Sequence, residues 1–216
     1  MKKNVFLVLI LCLAATAVAS SLLAGTAFGQ VDRNRLAQEA ATDAQANEHQ
    51  PPGKIMEIIG LAPGMSIAEI GAGRGRVVIH LADRVGPNGK VYAEDIDADR
   101  LRDLTERCRR IGFTNVEVIL GEVTDPKLPA GASDVILIVG SYQHFTDPVT
   151  LMRNSRGALK ANGRVAIVDR FAEKDSQYGV SEKTMLTQMG KAGFVLDRID
   201  TSIDSTGGVY VYLFRL

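Results

Sequence analysis

The segment "AEIGAGRGR", residues 68–76, sets Gly71, Gly73 and Gly75 at alternate positions, with the acid Glu69 two residues ahead of the first glycine. An apolar run precedes it and a helix-like run follows. A strand, a glycine loop and a helix bring backbone N–H groups and a helix N-terminus to one spot beyond the strand's carboxyl end, where nucleotide-like ligands bind. A tight turn has the same composition, so the spacing has to discriminate. In the dinucleotide fingerprint G-x-G-x-x-G, the third glycine's place is taken here by Arg76, and Gly75 comes one residue early. Glu69 at the strand's end would repel a pyrophosphate; a ligand with an ammonium group and no phosphate tolerates it. The next apolar run, "KVYAEDID", ends in acids. Asp95 lies 20 residues after Gly75, where a carboxylate accepts hydrogen bonds from both hydroxyls of a ribose. Glu94 and Asp97 read as solvated strand-end acids, with a helix cap as the other reading for Asp97. A second group of chemistry-bearing residues is "VGSYQHF", residues 139–145, in which Tyr142 and His144 are the base-like side chains. His144 is suited to take a proton from an oxygen or nitrogen nucleophile; capping a helix or packing beside Phe145 is the alternative. His80 reads as structural and His49 as part of a linker.

Alternating elements must position these residues. Strands are expected at Ser66–Ile70, Lys90–Ile96, Val116–Leu120, Asp134–Val139 and Arg164–Asp169, and helices at Arg74–Val85, Ala98–Ile111, Asp147–Leu159 and Ser181–Ala192. "GPNGK" and "ANGR" supply turns between them. A short helix is expected in "GKIMEIIGLAPGM", stopped by Pro63-Gly64. Strands alternating with helices of this length imply parallel βαβ units in a doubly wound α/β sheet. At the end, "FVLDRIDTSI" and "VYVYLFRL" leave no room for a helix between them. They form a C-terminal antiparallel hairpin, so one strand opposes the rest.

The 216 residues, 46% of them hydrophobic, suit one globular domain. Lys plus Arg equals Asp plus Glu, 25 each, and Trp is absent. Neither a basic footprint nor a stacking platform for nucleic acid is present, so no nucleic-acid partner is expected. The chain starts with Lys2 and Lys3, an uncharged apolar stretch from Val5 to Phe28, and small residues at Ala27 and Gly29. Residues 1–29 read as a signal peptide, residues 30–53 as a linker or loose helix, and 54–216 as the folded domain. The alternative is an anchor, with membrane attachment through residues 5–28 alone. Export to the periplasm or medium is the expected location. After cleavage Cys108 is the one cysteine left. It lies on a stripe with Leu101, Leu104 and Ile111 and reads as a small buried residue, and thiolate metal sites are excluded by count.

The stretch "SIAEIGAGRGRVVIHLA…GKVYAEDID" resembles the cofactor half of class I S-adenosylmethionine-dependent methyltransferases of the small-molecule type, and the resemblance extends from about Lys54 to the C-terminus. "NVEVILGEVTDPKLPAGASDVILIV", "ALKANGRVAIVDR" and "VSEKTMLTQMGKAGF" fit as well. The resemblance implies a seven-stranded, mostly parallel Rossmann-like sheet and S-adenosyl-L-methionine as cofactor. It implies that Gly71, Ala72, Gly73 and Gly75 lie against the cofactor and that Glu69 sits near its amino group. It implies further that Asp95 binds the ribose, Ile96 packs on the adenine, and Glu122 and the Val123 N–H meet the adenine's edge. His144 and Tyr142 become candidate catalytic residues toward a small-molecule methyl acceptor. The sequence departs from three subclasses. It lacks the acid or Asn, Pro-Pro and aromatic of amino-methylating nucleic-acid enzymes, the acids of metal-dependent catechol-type enzymes, and the cysteines of arsenite methylation; no metal is expected. The acceptor pocket must come from residues 31–60, "VGSYQHF" and "RFAEKDSQYGV". Because S-adenosylmethionine is a cytosolic metabolite, an exported binding module without catalysis is a second reading. An NAD-type oxidoreductase is a third, disfavoured by Glu69 and the early Gly75.

Overall fold

The computed structural model describes residues 34–172, 180–203 and 208–216. The chain divides into two compact units, residues 1–46 and 47–216. The expected signal peptide lies outside the described residues. Residues 34–49 are helical (α1). Among the described residues no helix is long and apolar enough to cross a membrane.

The second unit runs α2 (Pro52–Ile58), β1 (Ser66–Ile70), α3 (Val78–Val85), β2 (Lys90–Asp95), α4 (Ala98–Ile111), β3 (Val116–Leu120), β4 (Ser133–Val139), α5 (Pro148–Ser155), β5 (Leu159–Asp169), α6 (Glu182–Ala192), β6 (Val195–Asp200) and β7 (Tyr210–Arg215). The seven strands lie in the order β3-β2-β1-β4-β5-β7-β6. β1 pairs in parallel with β2 and β4, whereas β7 is antiparallel to both β5 and β6. The doubly wound sheet with a C-terminal antiparallel hairpin is therefore as the sequence implies.

The period of two along each strand divides the core. Ile67, Val135, Leu137, Ala166 and Val168 face α2, α3 and α4, while Ala68, Ile136, Ile138, Val165 and Ile167 face α5 and α6. Central strands buried on both faces have to be apolar throughout, which is why β4 reads "DVILIV". Helix ends follow local chemistry. Asp97 caps α4 by accepting from the N–H groups of Asp99 at 2.9 Å and Arg100 at 3.1 Å. Gly112, at φ +94°, ends that helix in the left-handed region. Cys108 lies buried on the α4 stripe beside Leu101 and Leu104.

Beyond one-residue shifts at the starts of β4, α5 and α6, four boundaries differ from the expected ones. α3 begins at Val78 rather than Arg74, because Gly75 at φ +82° breaks helical geometry ahead of it. The expected Asp147–Leu159 helix stops at Ser155 and gives way to a 3-10 turn, Arg156–Ala158. "ANGR" lies inside β5 instead of before it: between the pairs Ser133–Leu159 and Val135–Arg164 the register advances two residues on β4 and five on β5. Gly163 permits this bulge, since a Cβ there would stand 3.0 Å from the Ser133 carbonyl oxygen. β2 ends at Asp95, which leaves Ile96 beyond the sheet.

Candidate functional site

The strand order reverses between β1 and β4, so the loops after these strands leave the sheet toward opposite faces and open a crevice at its carboxyl edge. A cavity of about 310 Å³ fills that crevice. Gly71 comes to it from the loop after β1, Asp95 and Ile96 from the end of β2, Glu122 and Val123 from beyond β3, and His144 from beyond β4. The structure thus brings six of the expected site residues together from four strand ends.

Asp95 holds the floor. Its Oδ2 accepts the Gly73 N–H at 2.8 Å and its Oδ1 the Asp97 N–H at 3.0 Å. A carboxylate offers about four acceptor positions, which leaves room for two further donors. Ile96 and Val123 are 59% and 47% exposed, and both line the cavity. Large apolar side chains held in water at a cavity suit a flat apolar ring packed against them. Glu122 also lines the cavity, and its Oε1 is 2.6 Å from Lys127 Nζ.

The three glycines do different things, although each has a positive φ: +79° at Gly71, +56° at Gly73 and +82° at Gly75. A Cβ on Gly71 would lie 2.7 Å from Ser141 Cβ, and one on Gly75 would meet Leu104 Cδ1. Those two glycines admit protein neighbours. Gly73 has nothing within 4 Å of its Cβ position, so it alone of the three leaves open space for a ligand. The N–H groups of Gly71 and Ala72 donate to the Glu94 carbonyl at 2.9 and 2.8 Å and pin the loop to β2. Gly71 lines the cavity; Ala72, Gly73 and Gly75 belong to the same loop and are not among the lining residues.

Glu69 is buried and does not line the cavity. Burial pushes its carboxyl pKa up to about 8, the Arg76 charge opposes that, and the Asp95 charge adds to it. Its Oε2 has no hydrogen-bond partner among the described residues. Arg76 in turn donates to Asn47 Oδ1 and Gln50 Oε1, both at 2.8 Å, and ties residues 47–50 to the glycine loop. Glu94 corrects the expectation of a solvated acid. It is 2% exposed and lines the cavity. Burial raises its pKa to about 8, an N–H bond from Gly71 lowers it, and the Asp95 and Asp125 charges raise it further. A Cβ on Gly121 would collide with its Oε1; that glycine after β3 is the sequence signal for the buried acid.

Tyr142 is a second correction. Its side chain is 1% exposed, its hydroxyl donates to Gln188 Oε1 at 3.1 Å, and its ring packs against Phe145 and Phe171. Burial raises its phenol pKa and it does not line the cavity, so it packs the core instead of acting as a base. The 3-10 turn Tyr142–His144 turns Tyr142 inward and leaves His144 exposed at the cavity. Neither His80 nor His49 lines it. Sequence reasoning missed Arg100, which lines the cavity, and Ser141, whose hydroxyl donates to the Gly71 carbonyl at 3.1 Å and latches the loops after β1 and β4 together.

Residues 61–195 match the family described as "Methyltransferase domain", and the chain belongs to it. Among curated proteins, a nocamycin O-methyltransferase of Saccharothrix syringae is 33% identical over 115 residues, covering 53% of this chain and 41% of that one. The chain spans about half the length of the curated relatives it matches. Among solved structures, a SAM-dependent methyltransferase from Aquifex aeolicus superposes with a TM-score of 0.70 at 24% identity, covering 79% of this chain and 92% of that one. A TehB-like SAM-dependent methyltransferase from Corynebacterium glutamicum gives 0.64 at 18%, covering 85% and 97%. Both share this fold.

Proposed function

We propose that the protein is an S-adenosylmethionine-dependent methyltransferase that methylates a small-molecule acceptor. The observation that carries this reading is the cavity whose lining joins Asp95, with acceptor capacity to spare, to the exposed apolar side chains of Ile96 and Val123; Gly73, open at its Cβ position, is bonded to the same Asp95. A pyrophosphate beside the Asp95 carboxylate would be repelled, whereas a cationic ligand would favour the ionised form of Glu94, the acid of raised pKa that shares the cavity with it. Asp95 would take the ribose hydroxyls, Ile96 and Val123 the adenine faces, and Glu122 the adenine's amino group. Gly73 would let the methionine portion approach the backbone. When bound, S-adenosylmethionine supplies a sulfonium methyl group that is already activated for transfer. The protein's part is to align an acceptor, exclude water and move one proton. His144, at the cavity, is the base for that proton. The relative named for O-methylation of nocamycin supports a small-molecule acceptor.

Isothermal titration of the full chain with S-adenosylmethionine, its demethylated product and NAD tests the reading. Binding of the first two and not of NAD is expected; NAD binding alone would overturn it. Export is part of the proposal, with residues 1–29 removed. N-terminal sequencing of the protein from its native host should start near Gln30, and an intact Met1 in a soluble cytosolic fraction would refute export.

A further inference from the structure

The loop after β3, residues 122–127, closes on itself beside the cavity. The Glu122 and Asp125 backbones bond reciprocally, N–H to carbonyl, at 2.8 and 3.2 Å. The Asp125 carboxylate accepts the Lys127 backbone N–H at 2.9 Å. From α5, the Asn154 side-chain amide donates to the Thr124 carbonyl at 2.8 Å and ties the loop down. Glu122 and Val123, at its start, line the cavity. Lys127 ends it, and its Nζ returns to Glu122 Oε1 at 2.6 Å.

The backbone of Lys127 is unusual. Its φ is +50°, and among the described residues it is the one non-glycine with a positive value. Left-handed backbone disfavours any residue with a Cβ, and glycine adopts it freely. Conformations of this kind persist where their surroundings hold them, and they gather at ligand sites. A glycine would make the same turn with less strain, so what the lysine adds is its ammonium. Stability does not account for that ammonium. The Glu122 and Lys127 side chains are 64% and 46% exposed, and exposed ion pairs contribute little to folding. Position accounts for it better. A glutamate has three rotatable side-chain bonds and loses that freedom when it receives a ligand, unless it is already held. Lys127 engages Oε1 and leaves the acceptor positions of Oε2 open.

We infer that Lys127 is a positioning residue that sets specificity: it holds Glu122 so that the second carboxylate oxygen meets the purine amino group of the cofactor. The inference rests on the proposed S-adenosylmethionine site, with adenine at Ile96 and Val123. A purine packed there covers the Glu122 edge and shields the pair from water, so the charges act more strongly in the complex than in the free protein. Recognition then requires a donor at position 6 of the purine. A purine with hydrogen there leaves Oε2 covered and without a partner, which is how a site built for a hydrogen bond rejects a ligand that lacks it.

The test is titration of the full chain with the demethylated cofactor product and with its analogue carrying hydrogen in place of the purine 6-amino group. The wild type should bind the analogue at least about fivefold more weakly. Lys127→Met keeps a long side chain without the charge. In that variant the difference between the two ligands should shrink to within about twofold, while affinity for the analogue itself is unchanged. Lys127→Arg should restore most of the difference. Lys127→Gly relieves the backbone, so it should unfold in denaturant no earlier than Lys127→Met, yet discriminate as poorly. Wild-type discrimination by Lys127→Met or Lys127→Gly overturns the inference. So does an equal loss of affinity for both ligands in those variants, which would make Lys127 a loop former alone. A wild type that binds the two ligands equally overturns it as well. Failure of the wild type to bind the demethylated product would instead overturn the methyltransferase reading beneath it.

Discussion

Asp95 is the residue on which cofactor binding should turn. Asp95→Ala removes the acceptor for two ribose hydroxyls, and charge-assisted hydrogen bonds contribute roughly 1.5–3 kcal/mol each at most. Titration should show affinity for S-adenosylmethionine and its product falling by at least tenfold. Unchanged affinity would take Asp95 out of the site. The glycines give a paired expectation. Gly73→Val places a side chain in open space, so the protein should fold, at about 1–2 kcal/mol for the left-handed backbone, and lose the cofactor. Gly75→Val drives a side chain into Leu104, which is fully buried, and should cost a further ~1–3 kcal/mol of stability through overpacking. Denaturant titration beside binding separates the two; equal loss of stability would mean that both glycines serve only the turn. Asp95 was legible from its spacing after the glycine loop, and Ile96, Glu122 and Val123 through the family resemblance; all four line one cavity. Tyr142 and Glu94 were not legible. Whether a side chain beside such a site turns inward depends on a 3-10 turn and on a glycine in the neighbouring strand's loop, and neither carries a periodic signal.

At the scale of elements, α2 depends on residues far along the chain. Its last carbonyls lack intrahelical donors, and Arg198 on β6 donates to the Ile58 carbonyl at 2.6 Å while Arg164 on β5 donates to that of Ile59. Arg198→Ala should lower stability by about 1–2 kcal/mol, at the lower end of charge-assisted bonds because the arginine is partly exposed. Hydrogen exchange should speed up in α2 before the rest of the domain. Uniform exchange with unaltered stability would show that burial of Ile55 and Ile59 suffices to hold the helix. The helix itself was legible in "KIMEII", as were the βαβ alternation and the terminal hairpin, since each is written in local periodicity. The arginine caps were not, because the Arg198 contact joins residues 140 positions apart. The start of α3 and the "ANGR" bulge escaped for a related reason. Turn-forming residues announce a break in regular structure without saying whether the strand resumes, and it is the pairing of Ser133 with Leu159 that keeps β5 extended on both sides of the bulge.

For the whole molecule, the two buried glutamates couple stability, pH and cofactor. Glu69 and Glu94 each have an ordinary carboxyl value of 4.5 and are raised to about 8 in the fold, chiefly by burial. Between those values the folded chain holds protons that the unfolded chain has released. Stability then falls as pH rises, with slope proportional to the difference in bound protons. The contribution is complete below about pH 4.5, is lost progressively as pH approaches 8, and is flat above that. Denaturant midpoints should therefore decline from pH 5 to pH 8, and Glu94→Gln, which cannot ionise, should reduce the slope. A ligand carrying sulfonium and ammonium charges reverses the preference, because a cation beside these carboxyls favours their ionised form. Binding of S-adenosylmethionine near pH 7 should release protons, so its heat should vary with the ionisation enthalpy of the buffer, and the decline of stability with pH should flatten when cofactor is present. The demethylated product lacks the sulfonium charge and should release fewer protons. Equal proton release by the two ligands would mean that the acids answer the ammonium group alone. No release by either, together with flat midpoints, would mean that both carboxyls are already ionised in the fold and that the cavity does not select for a cation.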